Sequence, residues 1–234
     1  MKILGIDTTT KFLCLGVYDG TRVYEYNLEV GIRLSSLLAI TIKRVLDALG
    51  WRINDIDYFA CGIGPGSFTG IRVGLATIKG LGWSLNKSIV GISTLDILAK
   101  GVRGADRFIV SIIDAKRNLV YCSVYKTEDG ALRRTAPYML LTEDEFLKKM
   151  RANSIILGDA VDLYKERILK NIKGVNILDK DYWYPRAGNI ISLALERIKD
   201  RKFISPFDIK PIYLYPKECQ IRGFTQIKSA DIRG

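Results

Sequence analysis

The amino-acid sequence predicts an α/β protein built from two consecutive copies of a βββαβαβα unit. Two observations support this fold class. Each half of the chain shows the same order of short apolar segments and helix-like periodic segments. In each half, an aspartate precedes a tyrosine by eleven residues, Asp7 with Tyr18 and Asp114 with Tyr125, and an Asp-Gly turn follows. The alternative is chance similarity between two α/β halves.

Turn and cap residues set the elements of the first half. Residues 7–11 and Asp19-Gly20 are polar turns, Gly50 ends the first helix, and Ser93 or Thr94 caps the third. The predicted strands cover residues 2–6, 12–18, 22–29, 57–62 and 88–92. The predicted helices cover residues 33–49, about 70–84, and a segment that ends at residue 100.

The second half repeats this order, with a turn at Asp129-Gly130 and a capping box that begins at Thr142. The predicted strands cover residues 107–113, 119–125, about 137–141, 154–157 and 175–178, and the later helices cover 160–171 and 187–201. We therefore expect a first lobe over residues 1–104 and a second over 105–204. Residues 205–234 form a C-terminal segment that we expect to pack back on the first lobe.

A βββαβαβα unit is the element order of a ribonuclease-H-like lobe, and two in tandem give the architecture of the actin, Hsp70 and sugar-kinase superfamily. In that architecture the first hairpin of each lobe faces a cleft between the lobes. The comparison rests on element order and carries no function by itself.

The composition excludes several kinds of chemistry. The 234 residues contain no histidine, so His-dependent triads and imidazole metal sites are ruled out. The four cysteines, Cys14, Cys61, Cys122 and Cys219, form no C-x-x-C motif, and we expect buried thiols. A formal charge of +11 favours an acidic partner such as nucleic acid, although general solubility explains it equally well.

The chain shows no sign of export or membrane insertion. Its start lacks the apolar core of a signal peptide, and no apolar stretch approaches the roughly 18 residues that span a bilayer. We expect a cytoplasmic protein without a membrane partner.

The glycine-rich stretch GIGPGSFTGIRVG, residues 62–74, matches neither G-x-x-x-x-G-K-[ST] nor G-x-G-x-x-G. We expect Pro65-Gly66 to form a type II turn and Ser67 or Thr69 to cap the next helix. Gly70, Gly74 and Thr77 would then give that helix a face with little side chain, which a second helix could approach closely. Anion binding at the helix N-terminus is the alternative.

The helix at residues 33–49 offers a candidate for that second helix, because its apolar arc is wider than one stripe. The alternative is that the same chain covers the helix deeply.

Two carboxylates, Asp7 and Asp114, follow the first strand of each lobe and would point into the cleft. In a nucleotide-binding protein, they would hold Mg²⁺ and phosphates together with Thr8, Thr9 and Lys116. In a nuclease, several carboxylates would surround two metal ions, and a complete cluster is not visible. The third alternative is that they are turn residues that cap backbone N–H groups.

Several segments resemble the TsaB (YeaZ) family. They are ILGIDTTT near the start, the run from Gly62 to Ala99, DAKRNLVYCSVY from Asp114, YPRAGNIISLA from Tyr184 and PIYLYPKE from Pro211. The resemblance extends to about Glu218, and residues 219–234 do not share it.

The resemblance implies a duplicated actin-like fold without catalysis of its own and without a required cofactor. Such proteins pair with a TsaD-type catalytic subunit, which binds metal and nucleotide and transfers a threonylcarbamoyl group to adenosine 37 of ANN-decoding tRNAs. A TsaE-type ATPase joins the assembly, tRNA binds through the complex, and the protein forms a homodimer when alone.

In the family, pairing uses the first two helices of the first lobe. The residues expected at this interface are Leu34, Leu37, Leu38, Thr41, Val45, Gly70, Arg72, Val73, Gly74, Ala76, Thr77 and Lys79. Family members commonly have a histidine near the position of Leu34. The apolar residue here is compatible with hydrophobic association, but it cannot make the polar contact that a histidine could make at this position.

The sequence therefore favours a non-catalytic subunit of the tRNA threonylcarbamoyladenosine machinery. The main alternative is a free-standing nucleotide-dependent enzyme resembling a small-molecule kinase, and a nuclease is the third. Against the kinase, the second hairpin, residues 114–118, lacks the glycines expected for phosphate contact.

Overall fold

The computed structural model describes residues 1–102 and 104–215, with the backbone alone at Ile32. The strands are β1 (Ile3–Asp7), β2 (Phe12–Tyr18), β3 (Val23–Glu29), β4 (Tyr58–Gly62), β5 (Ile89–Ile92), β6 (Ile109–Asp114), β7 (Leu119–Glu128), β8 (Ala131–Arg134), β9 (Met139–Thr142), β10 (Ile155–Leu157) and β11 (Asn176–Ile177). The helices are α1 (Leu34–Ala48), α2 (Phe68–Ser84), α3 (Thr94–Lys100), α4 (Glu143–Lys149), α5 (Val161–Asn171) and α6 (Ala187–Lys199).

The strands form two sheets with the same internal order. The first sheet runs β3-β2-β1-β4-β5 and the second runs β11-β10-β6-β7-β8. In each sheet the first hairpin is antiparallel, and its first strand is parallel to the strand after the next helix. The duplicated α/β architecture predicted from the sequence is therefore confirmed.

The third strand of the second unit differs from the prediction. The sequence predicts one strand near residues 137–141, whereas the structure has two, β8 and β9. The long strand β7 pairs with β8 along its C-terminal half and with β9 along its N-terminal half. The turn at Asp129-Gly130 allows the chain to double back, since both residues have positive φ.

The first sheet has an apolar core on each face, because successive side chains of a strand point to opposite sides. Leu4 and Ile6 pack with the buried residues of α1 and α2. Ile3 and Cys14 pack on the opposite face with residues of α6. Gly16 permits this close approach of α6, because a Cβ there would lie 3.0 Å from the Ala187 carbonyl oxygen.

The last helix of each unit packs across the boundary between the units. Helix α3 follows the first sheet in the chain but packs against β6 and β7 of the second. Helix α6 follows the second sheet but packs against β1 to β5 of the first. The first sheet lies within residues 1–104 and the second within residues 105–204, whereas helices α3 and α6 each pack on the sheet of the other range.

The described part of the C-terminal segment packs on the first lobe as far as Ile212 and then reaches the second lobe, where the Tyr215 hydroxyl donates to the Ala115 carbonyl oxygen at 2.7 Å. Ile204, the residue before this segment, bridges Ile89 of β5, and Ile209 within the segment is buried in the core under α1 and α2. The Ile212 N–H donates to the Ile63 carbonyl oxygen at 2.8 Å. Residues 216–234, including the tail at 219–234, lie outside the described residues.

The three cysteines that the structure describes, Cys14, Cys61 and Cys122, are free and buried, as expected. Cys219 lies outside the described residues. No helix within residues 1–102 and 104–215 is both long and apolar enough to cross a membrane.

Candidate functional site

The glycine-rich stretch connects β4 to α2. The Ser67 side chain caps α2, and its hydroxyl oxygen accepts a hydrogen bond from the Gly70 N–H at 3.2 Å. Ser67 is one of the two residues predicted for this cap. The predicted type II turn is wrong. The Gly64–Pro65 peptide bond is cis, and Gly66 has a φ of +156°, far from the +80° or so of that turn.

This loop and the start of α2 lie directly on the turn between β1 and β2. The Ser67 N–H donates to the Thr9 carbonyl oxygen at 2.7 Å, and the Thr8 hydroxyl donates to the Gly70 carbonyl oxygen at 2.7 Å. A Cβ at Gly66 would lie 2.4 Å from the Thr9 carbonyl oxygen. Only glycine therefore fits at this point of contact.

The same contact corrects the interpretation of Gly70 and Gly74. A Cβ at Gly70 would lie 1.9 Å from the Thr8 carbonyl oxygen, and one at Gly74 would lie 2.2 Å from the Thr8 hydroxyl oxygen. Both glycines are buried against the chain's own first turn. They allow α2 to approach Thr8, and they do not form a thin face for a second helix.

The first turn is closed to ligands as a result. Asp7, Thr8 and Thr9 are buried, with at most 1% of their surface exposed. In this conformation these three residues offer no surface to a phosphate, because residues 62–70 cover them, and this burial argues against the nucleotide-binding alternative for them.

Asp7 uses one carboxylate oxygen inside this turn. Its Oδ1 accepts hydrogen bonds from the Thr9 N–H at 2.9 Å and the Thr9 hydroxyl at 2.8 Å, and the Thr94 hydroxyl donates to the Thr9 hydroxyl oxygen. Its Oδ2 is buried with no partner within the described residues. Burial raises the pKa of Asp7 to about 6, although the hydrogen bonds from Thr9 oppose the shift.

The second turn, after β6, is more accessible and is held by its own side chains. Asp114 Oδ1 accepts from the Lys116 N–H at 2.7 Å, and Asp114 Oδ2 pairs with Lys116 Nζ at 2.5 Å. Lys116, Arg117 and Asn118 all have positive φ, which directs successive peptide groups around a tight turn. This arrangement matches the turn-capping alternative of the sequence analysis.

Sequence reasoning missed Asp159, which completes the second turn. Its Oδ1 accepts from the Asp114 N–H at 2.9 Å, and burial raises the pKa of Asp159 to about 6. No local signal could have found it, because 45 residues separate it from Asp114. Within the described residues, no three Asp, Glu, Cys or His side chains are grouped so that they could hold a metal ion.

The residues predicted for a partner interface separate into two groups. Leu34, Leu38 and Thr41 of α1 are buried in the first lobe, at most 7% exposed, as are Gly70 and Gly74. These five support the helices from inside, and they are not available for direct contact. The members that reach the surface, fully or in part, are Leu37, Val45, Arg72, Val73, Ala76, Thr77 and Lys79.

Helices α1 and α2 lie side by side and expose further apolar groups. We define the α1–α2 surface by the exposed residues Ile40, Phe68, Arg72, Ala76, Gly80 and Trp83. Trp83 is 67% exposed, and Phe68 and Ile40 are each about half exposed. The five members on α2 follow one another at three- and four-residue steps, so they share one helix face.

The small residues of this face lie between its large ones. Ala76 and Gly80 separate Arg72 from Trp83 along α2, and the Arg72 guanidinium stacks 3.8 Å from the Phe68 ring centre. A helix from another protein could lie close over Ala76 and Gly80 and contact aromatic groups at both ends. The helical spacing could have shown Phe68 and Trp83, which were not among the predicted contacts.

Two tandem ribonuclease-H-like lobes, with a closed first turn and an exposed α1–α2 surface, define a protein of actin-like architecture. A family model described as TsaD: tRNA N6-adenosine threonylcarbamoyltransferase matches residues 31–172. Curated proteins named TsaB, one of them 31% identical over 72% of this chain, show that the chain belongs to the TsaB (YeaZ) family.

Curated relatives and solved structures agree with this membership. The tRNA threonylcarbamoyladenosine biosynthesis protein TsaB of Bacillus subtilis is 31% identical, covering 72% of this chain and 75% of that protein. TsaB of Escherichia coli is 25% identical over 92% of this chain and 94% of that protein. The structure of YeaZ from Pseudomonas aeruginosa has a TM-score of 0.78 at 22% identity, covering 91% of this chain and all of that one, and supports the fold.

Proposed function

We propose that this chain is a non-catalytic subunit in tRNA threonylcarbamoyladenosine biosynthesis and that it activates a TsaD-type catalytic subunit by pairing with it. The curated relatives are named for this biosynthesis, and the family model is described as the threonylcarbamoyltransferase. The proposed reaction is threonylcarbamoyl transfer to adenosine 37 of ANN-decoding tRNAs, carried out by the partner.

The α1–α2 surface is the observation that carries the pairing part of this proposal. It exposes the large aromatic side chains Phe68 and Trp83 at the two ends of the α2 face, with the small residues Ala76 and Gly80 between them, and Ile40 on the neighbouring helix α1. Burying such groups against another protein is favourable, at roughly 25 cal/mol per Å² of apolar area. In the absence of the catalytic subunit, a second copy of this chain would cover the same surface as a homodimer.

The closed first turn supports a non-catalytic role. Asp7, Thr8 and Thr9 occupy the position where a nucleotide-binding lobe would present its carboxylate and hydroxyls, and they are buried under residues 62–70. The residues present do not fit a nucleotide there. The proposal therefore assigns nucleotide and metal to the partner subunit and none to this chain, with a TsaE-type ATPase and tRNA joining the complex in the cytoplasm.

Reconstitution tests the proposal. The purified chain is mixed with the TsaD-type subunit of the same organism, and the mass of the product is measured by light scattering during size-exclusion chromatography. We expect a heterodimer, and we expect threonylcarbamoyl transfer to tRNA only when both subunits are present with the rest of the machinery. Failure to pair, or calorimetric binding of Mg-ATP to the isolated chain at sub-millimolar affinity, would favour the nucleotide-dependent enzyme instead.

A further inference from the structure

Five basic residues come together where the end of α6 meets the β7–β8 hairpin. Lys126 of β7 and Arg133 of β8 are directly paired across the two strands. Lys199, Arg201 and Lys202 lie at the end of α6 and just beyond it. We call these five residues the basic patch. All except the half-buried Lys126 are exposed.

The two parts of the basic patch are neighbours, because Arg197 near the end of α6 and Tyr125, which precedes Lys126 in β7, both donate to the Asp96 carboxylate at 2.9 Å. The charges around Asp200 agree with this placement. The Lys202 ammonium lies 2.9 Å from Asp200 and is the main reason that the pKa of Asp200 is below its usual value. Lys199 and Arg133 lower it further by their charge. Arg133 is thus within electrostatic reach of the α6 end, although 67 residues separate Arg133 from Asp200 in the chain.

The charges of the basic patch are not balanced locally. On β7, its turn, β8 and residues 196–202 there are seven basic and four acidic residues, which leave a net charge of +3. The basic residues are Lys126, Arg133, Arg134, Arg197, Lys199, Arg201 and Lys202, and the acids are Glu128, Asp129, Glu196 and Asp200. Among the described residues, Arg133, Lys199 and Arg201 have no ion pair with a carboxylate. The negative end of the α6 dipole favours Lys199 only modestly. Cations held together in this way form a site of positive potential.

The basic patch also lies away from the α1–α2 surface. Helix α6 covers the face of the first sheet opposite the one that α1 and α2 cover. Its apolar side chains, including Ile190, Ile191 and Ala194, are buried against that sheet, so the end of α6 offers mainly polar and charged groups to solvent. A protein bound to α1 and α2 would leave the basic patch open.

We propose that the basic patch binds the phosphate backbone of RNA, so that this subunit holds tRNA on the side away from its catalytic partner. The inference rests on the proposed function for the identity of the RNA. Phosphodiester backbones match a cluster of cations on two fixed elements, and guanidinium groups such as that of Arg133 can hold one phosphate with two hydrogen bonds.

The test measures binding of the full chain to a fluorescein-labelled RNA hairpin by anisotropy at several salt concentrations. The patch variant carries Arg133→Gln, Lys199→Gln and Lys202→Gln. The control variant carries Lys165→Gln, Lys170→Gln and Lys173→Gln, exposed positions on and just after α5. Both variants lower the net charge from +11 to +8, since each loses three positive charges.

We expect the patch variant to bind the hairpin about tenfold or more weakly. The slope of affinity against salt concentration should fall by about one for each cation that no longer meets a phosphate. We expect the control variant to change affinity by about twofold or less. Equal reductions in the two variants, or no RNA binding by the unmodified chain, would overturn the inference.

A second arm uses vesicles containing phosphatidylserine, because the exposed Ile204 and Phe207 follow the basic patch in the chain. If the patch variant loses vesicle binding but binds the RNA hairpin as well as the unmodified chain does, the basic patch binds a membrane and the RNA proposal is wrong. Pairing with the TsaD-type subunit is measured for both variants. If the chain does not pair with the TsaD-type subunit but its RNA binding depends on the basic patch, the proposed function is wrong and the RNA contact stands. If the chain pairs but its RNA binding does not depend on the basic patch, only the RNA contact is wrong.

Discussion

Asp96 of α3 and Arg197 of α6 form an ion pair, with 2.9 Å between Asp96 Oδ2 and Arg197 Nη2. The hydroxyls of Tyr125 and Tyr138, both from the second unit, also donate to the Asp96 carboxylate at 2.9 Å. Arg197 donates in addition to the Gly91 carbonyl oxygen of β5. The Asp96 carboxylate therefore joins α3 and α6 to the second unit, and Arg197 extends this network to the first sheet.

Replacing Asp96 should weaken the whole fold. We expect Asp96→Ala to lower the free energy of unfolding by about 3 kcal/mol, because it leaves a half-buried guanidinium and two tyrosine hydroxyls without their shared acceptor. Urea denaturation followed by circular dichroism measures the change. The control is Asp47→Ala, which removes an exposed pair with Lys43 and should cost about 0.5 kcal/mol or less. A similar effect of the two substitutions would contradict this role of Asp96.

The buried carboxylate of Asp7 predicts a pH dependence of stability. Its pKa is about 6 in the folded chain and 3.8 as the ordinary value, so the folded chain binds this proton more tightly than the unfolded chain does. Between those two values the folded state holds more protons, and stability falls as the pH rises. Ionised Asp7 therefore destabilises the fold at neutral pH, and protonation relieves this.

The Asp7→Asn variant isolates this effect, because the amide oxygen can still accept the hydrogen bonds from Thr9. We expect the stability of the wild type relative to Asp7→Asn to fall by about 1 kcal/mol from pH 5 to pH 7. The comparison cancels the contribution of Asp159, whose pKa is raised in the same direction. A difference in unfolding free energy that stays constant over this range would show that Asp7 has an ordinary pKa.

Two glycines of α2 should respond oppositely to alanine. A Cβ at Gly70 would lie 1.9 Å from the Thr8 carbonyl oxygen, a backbone atom that cannot move aside easily, so we expect Gly70→Ala to cost about 3 kcal/mol. A Cβ at Gly80 would meet nothing within 4 Å. We expect Gly80→Ala to raise stability by about 0.5–1 kcal/mol, because alanine favours the helix. Thermal unfolding distinguishes the two, and stabilisation by both would contradict the close packing of α2 on Thr8.

The same glycines show what the sequence could and could not predict. Local signals were sufficient for the helix, its Ser67 cap and the repeated element order, because caps and periodicity act over a few residues. The contact of Gly70 with Thr8 spans 62 residues, and no local signal specifies such a partner. The sequence therefore showed that this helix has small residues on one face, but it could not show that this face packs against Thr8 of the same chain.

The candidate site shows the same division. Apolar periodicity placed Leu34 and Leu38 on one stripe of α1 and Ile40 outside it, but it did not specify whether that stripe meets the sheet or a partner protein. Which of them reaches solvent depends on how α1 lies on the first sheet and beside α2. Element order also could not predict that α3 covers the second sheet and α6 covers the first. The order of elements along the chain does not specify which sheet a helix covers.

Pairing through the α1–α2 surface gives the last prediction. We expect Ala76→Arg and Ile40→Glu each to abolish co-elution with the TsaD-type subunit, because each places a charge within an apolar contact where it would lack a partner. Both residues are exposed, so the monomer should remain folded. Leu38→Glu is unsuitable for this purpose: Leu38 is 1% exposed, and a carboxylate there should unfold the chain.

The matched control is Leu169→Arg on α5, which also introduces a charge at an exposed apolar position of a helix, 53% exposed. It should leave both pairing and folding unchanged, because α5 covers the second sheet and is not part of the α1–α2 surface. Circular dichroism establishes folding for each variant, and size-exclusion chromatography measures pairing. Unchanged co-elution of Ala76→Arg, or equal loss in Leu169→Arg, would show that the catalytic subunit binds elsewhere on this chain.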